Sequence, residues 1–348
     1  MDVKKFIVKS DKSIRNSMKI LDKGGQGFIA ICKNNKILGI VTDGDIRRAI
    51  LRGIDLNTKI EEIANKDFIS ISDSTTENDI ESIFRNTKAR HIPVLKDGKL
   101  TGLIFEEDFY QKKQKFLPKR KKISLPVVIL AGGSGSRLNP FTRILPKPLM
   151  PIGEKPIIEI IMDRFAEFGM TRFYISVHYK ARMIKAYFED LKSNYKISYL
   201  DEEKPLGTAG SLKLLEGKIK STLFISNCDI IIKADYLDIY RFHKKSKYSL
   251  TLVGSIQYLR IPYGICKIEN GGILKTITEK PEYDFLVNTG FYLIEPNILK
   301  FIPENYCFDM IDLINILKNK GKKIGVYPIS EKSWIDIGQL DKYKNEIE

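Results

Sequence analysis

A continuous apolar run, Leu125 to Leu130, passes directly into the segment AGGSGSRLNPFTRILPKPLMPIG. No other junction limits the second half of the chain as much. A run without polar alternation is the pattern of a strand buried on both faces. Apolar residues then recur every three or four positions from Ile157 to Phe168, and Gly169 supplies a stop, so a helix is expected there. Strand Phe173 to Val177, helix Ala181 to Leu191, strand Ile197 to Leu200, helix Thr208 to Leu215 and strand Thr222 to Ser226 continue the series. Such alternation predicts an α/β fold with a doubly wound, mostly parallel sheet. Ligands of these sheets bind beyond the carboxyl ends of the strands, where the glycine-rich segment falls.

Three common readings of that segment fail on its residues. A P-loop needs a lysine directly after its last glycine, and none follows here; Leu138 stands where the dinucleotide fingerprint needs its third glycine. A nucleophile elbow fails because the run from Gly132 through Gly133, Ser134 and Gly135 ends in Ser136 instead of glycine. What remains is a stretch of small residues whose backbone N–H groups can approach phosphate. It ends in a cation, Arg137, and a second cation, Lys147, is fixed between Pro146 and Pro148. The chemistry suits a polyphosphate.

Ahead of this region the chain repeats itself. Ile37 to Ile46 reads ILGIVTDGDI and Leu100 to Phe109 reads LTGLIFEEDF, so Gly39 matches Gly102 and Asp45 matches Asp108 at an offset of 63. Apolar strands Phe28 to Ile31 and His91 to Leu95 precede them, followed by the turns KNNK and KDGK. Two β-β-α units are implied. The pair resembles a tandem of CBS repeats, covering about residues 1–58 and 59–115 of an α+β domain, with the Gly-apolar-x-Thr-x-x-Asp pattern present as Gly39, Ile40, Thr42 and Asp45. By that resemblance Thr42 and Asp45 would hold the phosphate and ribose of an adenosine nucleotide, since a carboxylate accepts two hydrogen bonds from a diol. Phe105 stands where the second copy would need Thr, which leaves Asp108 alone. Dimerisation or domain packing is the alternative role of the pair.

Composition enters through charge. The net charge is +15 in 348 residues, and Gln111 to Lys122, QKKQKFLPKRKK, holds seven Lys or Arg and no acid. With no helix-turn-helix, zinc-finger or RNA-binding aromatic signature beside it, that run reads as a linker over 111–124 and not as a nucleic-acid site. The remaining excess suits small polyanions such as nucleotides. The length fits two domains, the second spanning 125–348. No apolar stretch is long enough for a membrane span and the charged start MDVKKFIVKSDK does not suit a signal peptide, so a cytoplasmic protein is expected. Four scattered cysteines without a CxxC pair argue against zinc and a disulfide framework.

From about 125 to 340 the chain resembles the sugar-1-phosphate nucleotidyltransferases, or NDP-sugar pyrophosphorylases, whose sheet is Rossmann-like. The resemblance rests on LAGGSGSR at Leu130 to Arg137, PKPL at Pro146 to Leu149, LGTAGSL at Leu206 to Leu212, NCD at Asn227 to Asp229 and EKP at Glu279 to Pro281, with VNTG at Val287 to Gly290 and WIDIG at Trp334 to Gly338 in the same order. It implies that a sugar phosphate oxygen attacks the α-phosphorus of an NTP and pyrophosphate leaves. Arg137 and Lys147 would then hold the triphosphate, with Leu130, Ala131, Gly132, Gly133, Ser134, Gly135 and Ser136 forming the loop around it. Gly207 and Thr208 would lie against the base. Lys280 would neutralise the sugar phosphate, while Gly264, Glu279, Asn288 and Thr289 would line the sugar. Asp229 and Asp336 would share Mg²⁺, an ion that takes one or two protein carboxylates plus phosphate oxygens. Turns and helix caps are the structural alternative for several of these positions. Cys228 replaces the usual Gly of its signature.

The run PKPLMPIGEKPIIE is similar to the mannose-1-phosphate guanylyltransferase type, which points to GTP. Fusion of a CBS pair to a short catalytic domain is similar to the guanylyltransferases of bacterial legionaminic acid synthesis, which act on glucosamine-1-phosphate to give GDP-glucosamine. A homo-oligomer is expected, without nucleic acid or membrane partners. The competing class is a nucleotide-sensing regulator whose transferase domain binds without turnover.

Overall fold

The computed structural model describes residues 3–34, 36–87, 89–112, 122–191 and 194–338, with backbone alone at 111 and 112. The chain divides into two compact units, Met1–Arg120 and Lys121–Glu348. Positions 113–121 of the expected linker lie outside the described residues.

In the first unit β1 (Ile7–Lys9), α1 (Ile14–Gly24), β2 (Phe28–Lys33), β3 (Lys36–Thr42) and α2 (Asp43–Leu51) form one repeat; α3 (Glu77–Asn86), β4 (His91–Lys96), β5 (Lys99–Phe105) and α4 (Glu106–Lys112) form the other. Ser13 caps α1 by accepting from the Asn16 N–H, and Gly25, at φ 72°, closes it. The duplication reaches the level of register. Ile31 pairs with Gly39 and Val94 with Gly102, and each hairpin has its irregularity at the next position. Phe6, Phe28, Ala30 and Phe105 pack in one cluster, so residues of both copies share a core. The expected linker begins inside α4, which continues to Lys112.

The second unit contains, in order, β6 (Val127–Leu130), the small hairpin β7 (Pro151–Ile152) and β8 (Lys155–Pro156), α5 (Ile157–Glu167), β9 (Arg172–Val177), α6 (Ala181–Asp190), β10 (Lys196–Asp201), α7 (Gly207–Gly210), β11 (Leu223–Asn227), β12 (Ile230–Ile232), α8 (Tyr236–Lys245), β13 (Leu250–Arg260), β14 (Ile265–Ile268), β15 (Leu274–Thr278), β16 (Glu282–Ile294), α9 (Met310–Asn319), β17 (Ile324–Ile329) and β18 (Trp334–Asp336). Seven strands form one sheet in the order β10-β9-β6-β11-β16-β13-β17. All run parallel except β16, which is antiparallel to both neighbours. The fold is α/β, with a mixed, mostly parallel sheet.

Both faces of that sheet are covered, which is why β6 shows no alternation. Val127 and Ile129 join a core with Phe165, Phe173, Phe224 and Phe291, while Val128 joins the opposite core with Leu212, Leu313 and Leu317. The segment expected as a helix at Thr208 to Leu215 is a single turn, α7, followed by a 3₁₀ stretch Ser211–Leu215. Two glycines weaken helix formation there, and Gly207 sits at φ +74° hard against the Phe308 carbonyl. Among the described residues no helix is long and apolar enough to cross a membrane.

Candidate active site

The glycine-rich segment leaves β6 at its carboxyl end, flanked by β9 and β11. The Ala131 N–H donates to the Ser176 carbonyl (3.1 Å) and anchors the departure. Gly135 takes φ +68°, and a side chain there would meet Thr142 Cγ2 at 2.9 Å and Lys147 Cβ at 3.1 Å. Only glycine fits. Thr142, buried, ties the loop down by donating to the Gly135 carbonyl (3.0 Å). Lys180 donates to the carbonyls of Arg143 (2.6 Å) and Ile144 (2.8 Å), closing the far end. Gly133, Ser134, Ser136 and Arg137 remain exposed, and Leu130, Gly132 and Gly135 are partly covered.

Behind the loop the ammonium of Lys147 contacts the carboxylate of Asp229, and both side chains are buried. Asp336 is delivered to the same place by β18, which pairs antiparallel with β12 so that Asp336 faces Ile230. The Ile337 N–H donates to the Asp229 carbonyl (3.0 Å) and the Gly338 N–H to Asp336 Oδ1 (2.8 Å). A Cβ built on Gly338 would collide with Asp229 Oδ2 and lie 3.0 Å from Asp336 Oδ1 and 3.2 Å from Lys147 Nζ. Three charged groups therefore converge on one point, although they are 82 and 107 positions apart in sequence. Asp229 and Asp336 offer the hard carboxylate oxygens that a Mg²⁺ ion would take. Among the described residues no cluster of three or more His, Cys, Asp or Glu exists that could hold a metal by itself.

Cys228 is buried beside Asp229, and burial pushes its thiol up to about 12, so it is an uncharged packing group. Gly207 and Thr208 are fastened to α9. Asp309 Oδ1 accepts from both the N–H and the hydroxyl of Thr208 (3.0 Å each), and the Met310 N–H donates back to that hydroxyl (2.8 Å). Sequence reasoning missed Asp309; the signal was its capping box with Asp312. It also missed Glu202, at the carboxyl end of β10. A Cβ on Gly132 would meet its Oε1 at 2.8 Å, its Oε2 accepts from the Leu206 N–H (3.1 Å), and desolvation holds its carboxyl above the usual range.

The residues assigned to the sugar divide. Glu279 and Lys280 are exposed beyond β15, 3.6 Å apart, with Lys280 at φ +44°. A Cβ on Gly264 would lie 3.0 Å from Glu279 Oε2, so these two are neighbours. Asn288 donates to the Tyr292 hydroxyl (2.7 Å). Thr289 is buried and its hydroxyl donates to the Val253 carbonyl (2.8 Å), an anchoring contact within the sheet. In the first unit, Asp45 Oδ2 accepts from the N–H (2.9 Å) and hydroxyl (2.7 Å) of Thr42, and its Oδ1 accepts from Arg48 (2.5 Å). The pair caps α2.

A mixed sheet with a glycine-rich turn over a lysine and two carboxylates defines an α/β domain with its site at the strand carboxyl ends. The family profile of Nucleotidyl transferase matches residues 126–348, and that of the CBS domain matches residues 1–52 and 60–114. The chain belongs to the nucleotidyl transferase family and carries two CBS domains ahead of it. It is similar to UTP–glucose-1-phosphate uridylyltransferase of Synechocystis sp., 28% identical over 64% of this chain and 62% of that protein. It is also similar to mannose-1-phosphate guanyltransferase of Debaryomyces hansenii, 30% identical over 61% of this chain and 60% of that protein, and to that of Aspergillus fumigatus, 34% identical over 51% of each. The chain thus spans about three-fifths or less of these relatives. Among solved structures, HddC from Yersinia pseudotuberculosis is similar with a TM-score of 0.51 and 26% identity, covering 64% of this chain and 98% of that one. HddC complexed with GMP-PN gives a TM-score of 0.50.

Proposed function

We propose that this chain transfers a nucleoside monophosphate from an NTP to a sugar 1-phosphate, forming an NDP-sugar and releasing pyrophosphate. The observation that carries this reading is the convergence of Lys147, Asp229 and Asp336 beneath the glycine-rich turn. In-line displacement at the α-phosphorus brings two anions together and builds charge on the leaving group, so positioning and electrostatics supply the catalysis. Arg137, exposed beside the loop, grips the outer phosphates. Lys147, buried, offers its ammonium where the charge develops. Lys280 neutralises the sugar phosphate, Glu279 accepts from its hydroxyls, and Asn288, in β16, lines the sugar. Magnesium would be held by Asp229 and Asp336 and would neutralise phosphate oxygens. Lys147 then exchanges one anion for another without leaving its pocket.

GTP is the favoured donor. Glu202 is a carboxylate beside the loop, and a carboxylate pairs with the adjacent N–H donors on the Watson–Crick edge of guanine. The guanyltransferase names of similar proteins and the GMP-PN complex of HddC point the same way. Glucosamine-1-phosphate, giving GDP-glucosamine for legionaminic acid synthesis in the cytoplasm, is the acceptor suggested by the CBS fusion. Mannose-1-phosphate is the second reading, favoured by the names of those relatives. At the first repeat an adenosine nucleotide would bind through Thr42 and Asp45, displacing Arg48.

A pyrophosphate-release screen with Mg²⁺, four triphosphates and glucose-, mannose-, galactose- and glucosamine-1-phosphate tests class and substrate together. Turnover with GTP and glucosamine-1-phosphate is expected. Silence with every pair favours a regulator that binds without turnover.

A further inference from the structure

The sheet face that carries Val128 is covered unevenly. At its centre Val128 and Ile225 are buried in one core with Leu212, Leu215 and Ile219. Outward along the register, Val128 lies beside Tyr174 in β9, and Tyr174 beside Ser198 in the edge strand β10. Burial falls in the same order, for Tyr174 is half-buried and Ser198 exposed. The cover ends with residues 218–221, which join the 3₁₀ stretch to β11. Between that segment and the open strands remains a cavity of about 350 Å³, lined by Arg172, Tyr174, Lys218, Ile219, Lys220 and Ser221.

Its charge is of one sign. Side chains alternate along a strand, so Arg172 shares this face with Tyr174, and Lys196, paired with Arg172 in register, shares it from β10. Lys218 and Lys220 stand on the other wall. Four cations border one recess, and among the described residues no acidic side chain lines it. All four are exposed, and none has an ion pair among the described residues. Cations of the adjoining elements are matched, Lys185 with Asp201 (2.6 Å) and Lys213 with Glu216 (2.6 Å). Like charges side by side on neighbouring strands repel, so the register of Arg172 with Lys196 favours an anion between them.

Size and chemistry narrow the occupant. The volume is at the lower end for small-molecule sites. A guanidinium takes phosphate oxygens in a fork, and ammonium groups add point charges. The hydroxyls of Tyr174 and Ser221 supply further donors. A phosphate monoester carries nearly two negative charges at pH 7, so two of them match four cations. Nucleic acids and anionic membranes are met by broad basic surfaces, whereas these cations turn into a recess. The recess lies at the amino end of β9, and the glycine-rich turn lies beyond the carboxyl end of its neighbour β6, roughly 20 Å or one strand length away.

We propose that this recess binds a small metabolite carrying two or more phosphate groups, at a site of the second unit separate from its catalytic pocket. The reading stands whether or not the chain turns over a sugar phosphate. Lysine acetylation followed by peptide mass spectrometry resolves the site residue by residue, with the full-length protein and inorganic tripolyphosphate as the probe, without Mg²⁺. When about four-fifths of the sites are filled, acetylation of Lys196, Lys218 and Lys220 should slow about fivefold, while Lys318 and Lys322, exposed near the opposite edge strand β17, react as before. Binding at the catalytic turn protects other lysines and does not register here. In the double variant Arg172→Gln with Lys220→Gln, checked for folding by circular dichroism, the protection of Lys196 and Lys218 should disappear. No protection, equal protection of all exposed lysines, or undiminished protection in the folded double variant overturns the proposal. Orthophosphate should protect far less than tripolyphosphate, and equal protection would remove the need for two phosphates. A short RNA oligonucleotide or phosphatidylglycerol vesicles that protect these lysines at lower phosphate concentration than tripolyphosphate would overturn the small-ligand reading.

Discussion

The Lys147 ammonium rests on the Asp229 carboxylate inside the second unit, one held by a 3₁₀ turn between prolines and the other at the end of β11. Removing either partner leaves an uncompensated buried charge, which costs about 3 kcal/mol or more. Lys147→Met and Asp229→Asn should each lower the melting temperature more than the double variant does. Thermal melts of the three proteins check this; additive losses would show that the two groups are not a unit.

Arg137 is in a different position. It is exposed and makes no ion pair among the described residues, so its loss should leave folding unchanged. Arg137→Ala is expected to lower kcat about 100-fold or more, the scale of one transition-state charge contact, with a much smaller change in KM for the sugar phosphate. Steady-state kinetics decide, and equal losses in both would contradict the assigned role.

Much of this was legible in the sequence, and the unread parts have physical causes. β6, β9 and β11 are buried on both faces or nearly so, while edge strand β10 alternates with one face exposed, and all four lie within about two residues of where the sequence marks them. α7 was overread because Gly207 and Gly210 serve packing against Tyr306 and Phe308, which the apolar spacing does not report. Asp229 and Asp336 carried recognisable neighbours, yet the ion pair between Lys147 and Asp229 spans 82 positions and leaves no local trace. Glu202 and Asp309 are single acids in loops. Nothing in Glu202 distinguishes a site from a solvated turn, and the capping box of Asp309 with Asp312 marks a helix start without marking a site.

Gly338 offers a narrower test. A methyl group there would meet Asp229, Asp336 and Lys147 together, so the carboxylates must move apart. Gly338→Ala should cost about 1–3 kcal/mol from overpacking and lower kcat by about 100-fold through displacement of the carboxylates. Isothermal titration with Mg²⁺ and GTP should show weaker binding. Undiminished affinity and rate would mean that the point of convergence is not where phosphate and metal meet.

Asp45 caps α2 through Thr42, and the same carboxylate is the one assigned to ribose. Asp45→Ala should lower the stability of the first unit by about 1 kcal/mol and abolish any melting shift given by AMP, ADP or ATP, leaving basal turnover intact. The shift is measured against the variant's own baseline. A persistent shift would move the nucleotide away from the first repeat.

His91 gives the first unit a dependence on pH. Its ring lies between Phe28 (5.3 Å) and Phe105 (5.4 Å), its Nε2 faces the Gln26 carbonyl (2.9 Å), and burial, with Arg90 beside it, lowers it to about 4. The folded ring therefore stays neutral where the unfolded ring, with a pKa near 6.5, is already protonated. Below about 6.5 the unfolded state binds the extra proton, so stability is complete above that pH and declines as pH falls toward 4, by about 3 kcal/mol. Thermal melts of the full chain at pH 7.5, 5.5 and 4.5 should show this loss. His91→Gln keeps a donor for the Gln26 carbonyl and cannot titrate, so its first-unit transition should be flatter over the same range. An unchanged slope in that variant would assign the acid sensitivity to carboxylates elsewhere.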